Sequence, residues 1–404
     1  MDMNALRNFM DKIKPYFEKG GKLEKLHSVY DGFETFLFVP TTTAPKYGSH
    51  IHDPVDTKRT MSTVIVALVP ALLFGMYNVG YQHYLAIGQD VNFWTEFLFG
   101  FLAVLPYIVV SYAVGLGIEF IGAQIKGEEI QEGFLVTGFL IPLIIPINTP
   151  LWMVAVATAF AVIFAKEVFG GTGMNIFNVA LVARAFLFFG YPTHMSGDSV
   201  WIRTGTALGF GGGNVVDAFS GATPLGQIAT ASTSVPHITD TFGHSLGFWD
   251  GFVGLIPGSV GETSIIAIML GAFVLLITEV ASWKTMLSVF FGGALMGIVF
   301  NLFGPDTAAA HFPWYNHLVF GGFAFGAVFM ATDPVTSART EKGKWIYGLL
   351  IGCLAIIIRV LNPGYAEGMM LAILLMNIFA PLIDFYVVDA NVKKRISRAQ
   401  KSIQ

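Results

Sequence analysis

Residues 97–121 read FLFGFLAVLPYIVVSYAVGLGIEFI. Crossing a bilayer as an α-helix takes about 20 mostly apolar residues, and this stretch supplies them. Working outward from it, the same pattern recurs near 61–78, 133–147, 151–168, 175–190, 264–281, 286–303, 317–331, 346–361 and 368–388, giving about ten runs in all. Composition agrees. Of 404 residues, 54% are hydrophobic and only 12% charged, where a soluble protein devotes about a quarter to charge. The chain cannot cover a water-facing surface, so lipid must be a large part of its solvent. The expected fold class is all-α, a polytopic membrane protein of about ten helices. The single cysteine, Cys353, lies in an apolar run, which excludes disulfide frameworks, Cys-ligated zinc and a self-contained iron–sulfur cluster.

Basic residues set the expected topology. Arg7, Lys12, Lys14, Lys19, Lys22, Lys25, Lys46, Lys58 and Arg59 precede the first run, and Lys393, Lys394, Arg395, Arg398 and Lys401 follow the last. The positive-inside rule puts both ends in the cytoplasm. The long segment 191–262 holds only Arg203 and follows five crossings, so it is expected to face outward. Five runs precede it and five follow. The runs 133–147 and 317–331, short and interrupted by Gly or Pro, are the third of each set. An odd number of spans per half implies two halves inverted in the membrane. The expected division is a cytoplasmic amphipathic arm over 1–58, a first five-helix repeat over 59–190, the outward segment 191–262, a second repeat over 263–388 and a basic tail over 389–404. Within the arm, Leu6, Phe9, Met10, Ile13 and Phe17 recur at helical spacing, as in a helix lying on the inner leaflet or on a partner subunit.

The outward segment carries the sharpest chemical signal, Asp217-Ala218-Phe219-Ser220-Gly221-Ala222-Thr223. It matches D-x-x-[ST]-G-A-[ST], the pattern at which flavin transferases attach FMN through its phosphate to a hydroxyl. The reaction needs an accessible hydroxyl, here Thr223, and small neighbours such as Gly221 and Ala222 leave room for nucleotide and transferase. The bland alternative is a turn before a helix, with Ser220 or Thr223 as N-cap and Pro224 at the first helical position. Both readings can hold at once.

With that motif in view, the chain resembles the NqrB/RnfD family of membrane subunits, found in sodium-translocating NADH:quinone oxidoreductases and in Rnf electron-transport complexes. The resemblance rests on GKLEKLHSVYDG (21–32), HDPVDTKRTM (52–61), EGFLVTGFLIPL (132–143), KEVFGGTGMNIFNVALVARAFLFFGYP (166–192), DAFSGATPL (217–225), FMATDPVTS (329–337) and APLIDFYVV (380–388). The long N-terminal arm favours the sodium-pump branch over the Rnf branch. The resemblance implies covalent FMN on Thr223, noncovalent riboflavin among the helices, ubiquinone as electron acceptor and sodium as the transported ion. It also implies five other subunits in a bacterial inner-membrane complex, a periplasmic flavin transferase for maturation, and no nucleic acid among the partners. NADH is expected to bind elsewhere, since no GxGxxG occurs in a strand–helix context.

Ionisable groups inside spans are functional candidates by default. Asp384 lies between Ile383 and Phe385 in the tenth run, Glu132 opens the third and Asp333 closes the eighth. Sodium prefers oxygen ligands, and carboxylates beside Gly- and Pro-broken backbone suit an ion path. The alternative is that these acids end helices or meet partner subunits. Glu167, beside Lys166, suggests an interfacial ion pair. Asn175 and Asn178, after the turn Gly170-Gly171-Thr172-Gly173, either bond an isoalloxazine edge or cap the following helix. His194, His237 and His244 lack metal-ligand spacing. No catalytic residue and no metal set is assigned. A channel or secondary transporter without redox chemistry would share the broken helices; the flavin motif is what separates the two readings.

Overall fold

Glycines in the apolar runs sit where helices touch. A Cβ on Gly100 would lie 1.7 Å from the carbonyl oxygen of Met76, and one on Gly80 would lie 1.8 Å from that of Glu96. The helices Thr57–Ala86 and Phe93–Lys126 therefore pack backbone against backbone. Later in the chain, Gly348 meets the Ser288 hydroxyl and Gly352 the Val289 carbonyl in the same way, joining Trp283–Phe303 to Glu341–Leu361. Such close approach is how helices associate where lipid removes the hydrophobic drive between them.

A computed structural model gives the fold, describing residues 3–18, 20–23, 27, 30, 32, 34, 38, 47–48, 57–127, 133–217 and 219–403. It is all-α, with two isolated β-bridges and no strand among the described residues. Among the described residues, six helices are long and apolar enough to cross a membrane: Lys58–Ala86, Phe93–Lys126, Leu151–Phe169, Trp283–Phe303, Glu341–Leu361 and Met369–Lys401. Three shorter apolar helices, Phe134–Ile144, Val179–Gly190 and Ile265–Ile277, fall on expected runs. The remaining run, 317–331, is broken into Trp314–Val319, a turn at Gly321 with φ +73°, the short helix Phe323–Phe325 and a π-turn over Gly326–Met330. A π-turn also interrupts the fourth run, at Val162–Lys166.

Broken backbone inside an apolar body must find partners, because no water is there to supply them. Polar side chains do so here. After Phe134–Ile144 ends, the Tyr107 hydroxyl donates to the carbonyls of Ile147 and Thr149, the latter at 2.9 Å. Asn148 Nδ2 donates to Ser199 and Ile202 carbonyls at 2.7 and 2.8 Å. Gly261 N–H donates to Leu143 O at 2.8 Å, so residues 259–261 close the end of that helix. In the later half Asn301 Nδ2 serves Ala310 and Phe312 carbonyls at 2.8 and 2.7 Å.

The long segment 191–262 is pinned to the helices. His83, stacked on Phe99 at 3.7 Å, bonds the Arg203 carbonyl through Nδ1 at 2.6 Å and accepts from Gly212 N–H through Nε2 at 3.1 Å. The ring must then be neutral, with its proton on Nδ1. Near the N-terminus the helix Met3–Phe17 buries Met10 and stacks Phe17 on Tyr30 at 5.2 Å, while Lys14 pairs with Glu34 at 2.9 Å. One side of the expected amphipathic helix is thus covered by the chain that follows it.

Close packing makes a sharp contrast testable. Gly100→Ala should destabilise the detergent-solubilised protein by about 1–3 kcal/mol, the cost of overpacking. Gly117→Ala, on the same helix with nothing within 4 Å of the added carbon, should leave it unchanged or raise it by about 0.5–1 kcal/mol. Thermal unfolding reads both. Equal effects at the two positions would remove the close-approach account.

Candidate functional site

Thr223 ends an extended stretch at φ −67°, ψ 152° and caps the helix Pro224–Thr230. Its Oγ1 accepts from Gly226 N–H at 3.1 Å, and Pro224 takes the first helical position, where a missing N–H costs nothing. Gln227 fastens the turn: Nε2 donates to Ala222 O at 3.2 Å and to Thr239 O at 2.8 Å, and Oε1 accepts from Thr239 N–H at 2.8 Å. The half-buried Thr223 stands in the walls of two adjoining clefts. The first is lined by Arg184, Asp198, Trp201, Ala222, Tyr365 and Glu367, the second by Ile256, Ser259, Glu262, Thr263, Gly321 and Glu367.

Other motif residues divide. Ser220 Oγ accepts from Ala222 N–H at 3.4 Å. Gly221 is buried, and a Cβ there would meet the Asp198 carbonyl oxygen at 2.3 Å. Its smallness serves loop packing. Ala222 does face the first cleft. Asp217 lies outside both walls.

Below Thr223 lies a charge cluster that the sequence pattern alone does not single out. Arg184, 4% exposed on Val179–Gly190, donates to Glu262 Oε1 at 2.7 Å and to the Glu367 carboxylate. Arg359, 3% exposed, donates from Nη1 to His317 O at 2.5 Å and from Nε to Glu367 O at 3.1 Å. A signal is nonetheless present: an arginine inside each of two apolar runs, which a membrane protein rarely tolerates unpaired.

Asn178 N-caps the same helix Val179–Gly190, accepting from Leu181 N–H at 3.2 Å. Arg184 is six residues further on, a rise of about 9 Å. Asn178 Nδ2 also donates to Asp333 Oδ2 at 3.1 Å, tying the first half of the chain to the second. Capping and cross-helix bonding both occur. Asn175 Nδ2 donates to Phe177 O at 2.9 Å. A third cleft gathers Asn175, Asn178, Asp333, Thr332, Thr137 and Lys166. The expected Glu167–Lys166 pair is corrected: Glu167 bonds Lys126 at 2.8 Å, while Lys166 pairs with Glu119, each buried. Residues adjacent in a helix point about 100° apart, so neighbouring opposite charges look to other helices for partners.

Asp384 is engaged. Its carboxylate accepts from Arg339 N–H at 2.7 Å, Thr340 N–H at 3.0 Å and the Thr340 hydroxyl at 2.5 Å, holding the start of Glu341–Leu361. It lines none of these three clefts. Glu132 lies outside the described residues. In the connecting segment, burial raises Asp240, but hydrogen bonds from His244 and Phe242 outweigh it and hold the carboxyl below its ordinary range. His194, His237 and His244 form no metal-holding group among the described residues.

Comparison with known proteins gives a consistent picture. The model of the NQR2, RnfD, RnfE family matches residues 45–393. A subunit of the Na(+)-translocating NADH-quinone reductase of Chromohalobacter salexigens is 43% identical, covering 98% of this chain and 97% of that one. The proteins of the same name from Ectopseudomonas mendocina and Pseudomonas aeruginosa are 44% and 43% identical, each covering 98% of this chain and 99% of its own length.

Removing one member of a buried charge cluster strands the others, at about 3–5 kcal/mol. Arg184→Met should therefore lower thermal stability in detergent sharply. Adding Glu262→Gln and Glu367→Gln to it should recover part of the loss. An Arg184→Met protein within about 1 kcal/mol of the parent would sink this assignment.

Proposed function

Because the chain belongs to the NQR2, RnfD, RnfE family, we propose that it is the flavin-carrying membrane subunit of a sodium-translocating NADH:quinone reductase. In this reading electrons pass through covalent FMN and riboflavin to ubiquinone, coupled to sodium export. The observation that carries it is the Thr223 hydroxyl, set in the walls of two clefts at the end of an S-G-A-T motif. The geometry suits a phosphoester there. As N-cap, Thr223 Oγ1 needs only a lone pair for Gly226 N–H, so esterification can replace the hydroxyl proton without undoing the cap. When bound, the flavin would supply electron storage at the first cleft. Arg184 lines that cleft, its own hydrogen bonds going to Glu262 and Glu367. Trp201 and Phe188 in the same wall offer an apolar surface that keeps water from a ring system.

The same reading places 191–262 outside a bacterial inner membrane, where a flavin transferase reaches Thr223, and both termini in the cytoplasm with the other subunits. The third cleft, with Asn175, Asn178 and Asp333, is the candidate for a noncovalent riboflavin or an ion path. Asp333, Asp384 and Glu132 are the proposed sodium-path carboxylates. Asp384 would act through the Arg339–Thr340 turn it holds, since its oxygens already accept three hydrogen bonds. The Rnf-type branch remains the second reading, because the matched family includes it; the relatives named above favour the quinone reductase.

Two measurements test this. Co-expressed with a flavin transferase, the denatured subunit should fluoresce under ultraviolet light on a gel, and Thr223→Ala should abolish the band. A dark parent band would end the flavin reading. In membranes, Asp384→Ala should reduce sodium stimulation of quinone reduction, with Thr340→Ala as the milder counterpart. Undiminished stimulation in Asp384→Ala would remove that carboxylate from the coupling path.

A further inference from the structure

Tyr365 lines the first cleft together with Thr223, Ala222 and Arg184. It is 4% exposed, and its hydroxyl has no hydrogen-bond partner among the described residues. A buried hydroxyl left unsatisfied costs about 1–3 kcal/mol. Phenylalanine would fill the same space without that cost. The ring itself is well held, packed edge-on to Phe188 at 4.5 Å with 77° between planes. Backbone bonds fix the turn beneath it: Tyr365 N–H donates to Asn362 O at 3.0 Å, and Gly364 N–H to Asn362 Oδ1 at 3.2 Å.

Glu262 and Glu367 are both bonded to Arg184. Arg359 likewise keeps Nη2 without a partner among the described residues, although Nη1 and Nε are used. A Cβ on Gly321, a residue of the second cleft, would sit 3.3 Å from that nitrogen. The neighbourhood of Thr223 thus keeps two buried donor groups, the Tyr365 hydroxyl and Arg359 Nη2, without partners among the described residues, which a ligand's acceptors would satisfy.

We infer that Tyr365 is a binding residue for the ring system carried on Thr223, its hydroxyl donating to a ring nitrogen or carbonyl oxygen of the isoalloxazine. This rests on the proposal that Thr223 bears the flavin. The phosphate end is fixed within a bond of Thr223 Oγ1, so the ring, at the far end of its chain, is the part left to be positioned. A donor at the ring stabilises the reduced, electron-richer form more than the oxidised form. Tyr365 therefore holds the flavin potential up.

The test is Tyr365→Phe in the full complex, with covalent loading checked by gel fluorescence. The variant should carry as much covalent flavin as the parent. Its flavin absorption bands should shift, and its reduced-to-oxidised ratio at fixed potential should fall roughly tenfold, about 30 mV more negative for a two-electron couple. A second measurement covers folding. On a Thr223→Ala background, Tyr365→Phe should leave thermal stability unchanged or raise it, whereas on the flavin-loaded parent it should lower it. A loaded variant with parental bands and potential, or thermal effects that simply add, overturns the role of Tyr365 while leaving Thr223 standing. A dark parent band overturns both.

Discussion

A guanidinium buried in an apolar body is tolerated only if acceptors reach it, and Arg184 has two carboxylates. Glu262 comes from the end of the long connecting segment, and Glu367 from the turn between the last two helices. Three distant parts of the chain must meet for that charge to be neutralised. Burying ions this way is a poor source of net stability, since desolvation offsets most of the attraction. It is a strong source of specificity, because any arrangement that separates the three leaves a bare charge in the interior. The fold of the outer part of the molecule follows: Glu262 fixes where the second half begins, and Gly322 packs tightly on its carboxylate, where a Cβ would come 2.6 Å from Oε1. Leu225, two residues past Thr223, packs on Gly321 in the same layer. The candidate flavin hydroxyl is therefore held by the charge cluster at one remove.

The same helix, Val179–Gly190, links two polar regions. Its cap, Asn178, reaches across to Asp333 in the second half, and Arg184 along the helix reaches Glu262 and Glu367. Its twelve residues span about 18 Å, so one rigid element touches both. Movement at either end would be felt at the other without any intermediate wire, which is the kind of two-ended element that coupling between sites requires.

How much of this can be read from sequence varies with the physics involved. Length and apolarity set the helices, and each expected run contains one. The 317–331 run is legible as broken, yet Gly321 at its break packs on Leu225 and Arg359, and Gly326 at the π-turn on Met369 and Ile373, contacts that no local pattern encodes. Thr223 stands out because a short motif carries its chemistry within seven residues. Its second role as a cap is equally local, written in the Pro that follows. Arg184, Glu262, Glu367 and Tyr365 are not singled out by pattern, because each is a single polar residue whose meaning comes from partners about 80 to 180 positions away. Asp384 is conspicuous for the right reason, a carboxylate in an apolar run. The loop it caps, some 45 residues earlier, is invisible in the sequence.

A covalent tether changes what the surrounding pocket must do. A dissociable flavin needs enough contact energy to offset the freedom lost on binding, which normally means a deep, closely fitted cavity. On the proposal above, attachment through Thr223 would remove that requirement, leaving the walls to orient the ring and set its potential. The clefts beside Thr223 match that lighter task. They are formed by a loop, helix ends and a charge cluster, with a few fixed donors beside Thr223. The buried charges then have a distinct part in the site. They would hold the groove's shape while the charge of a bound flavin changes, because opposite charges already paired in a low-dielectric setting resist rearrangement far more than solvated ones.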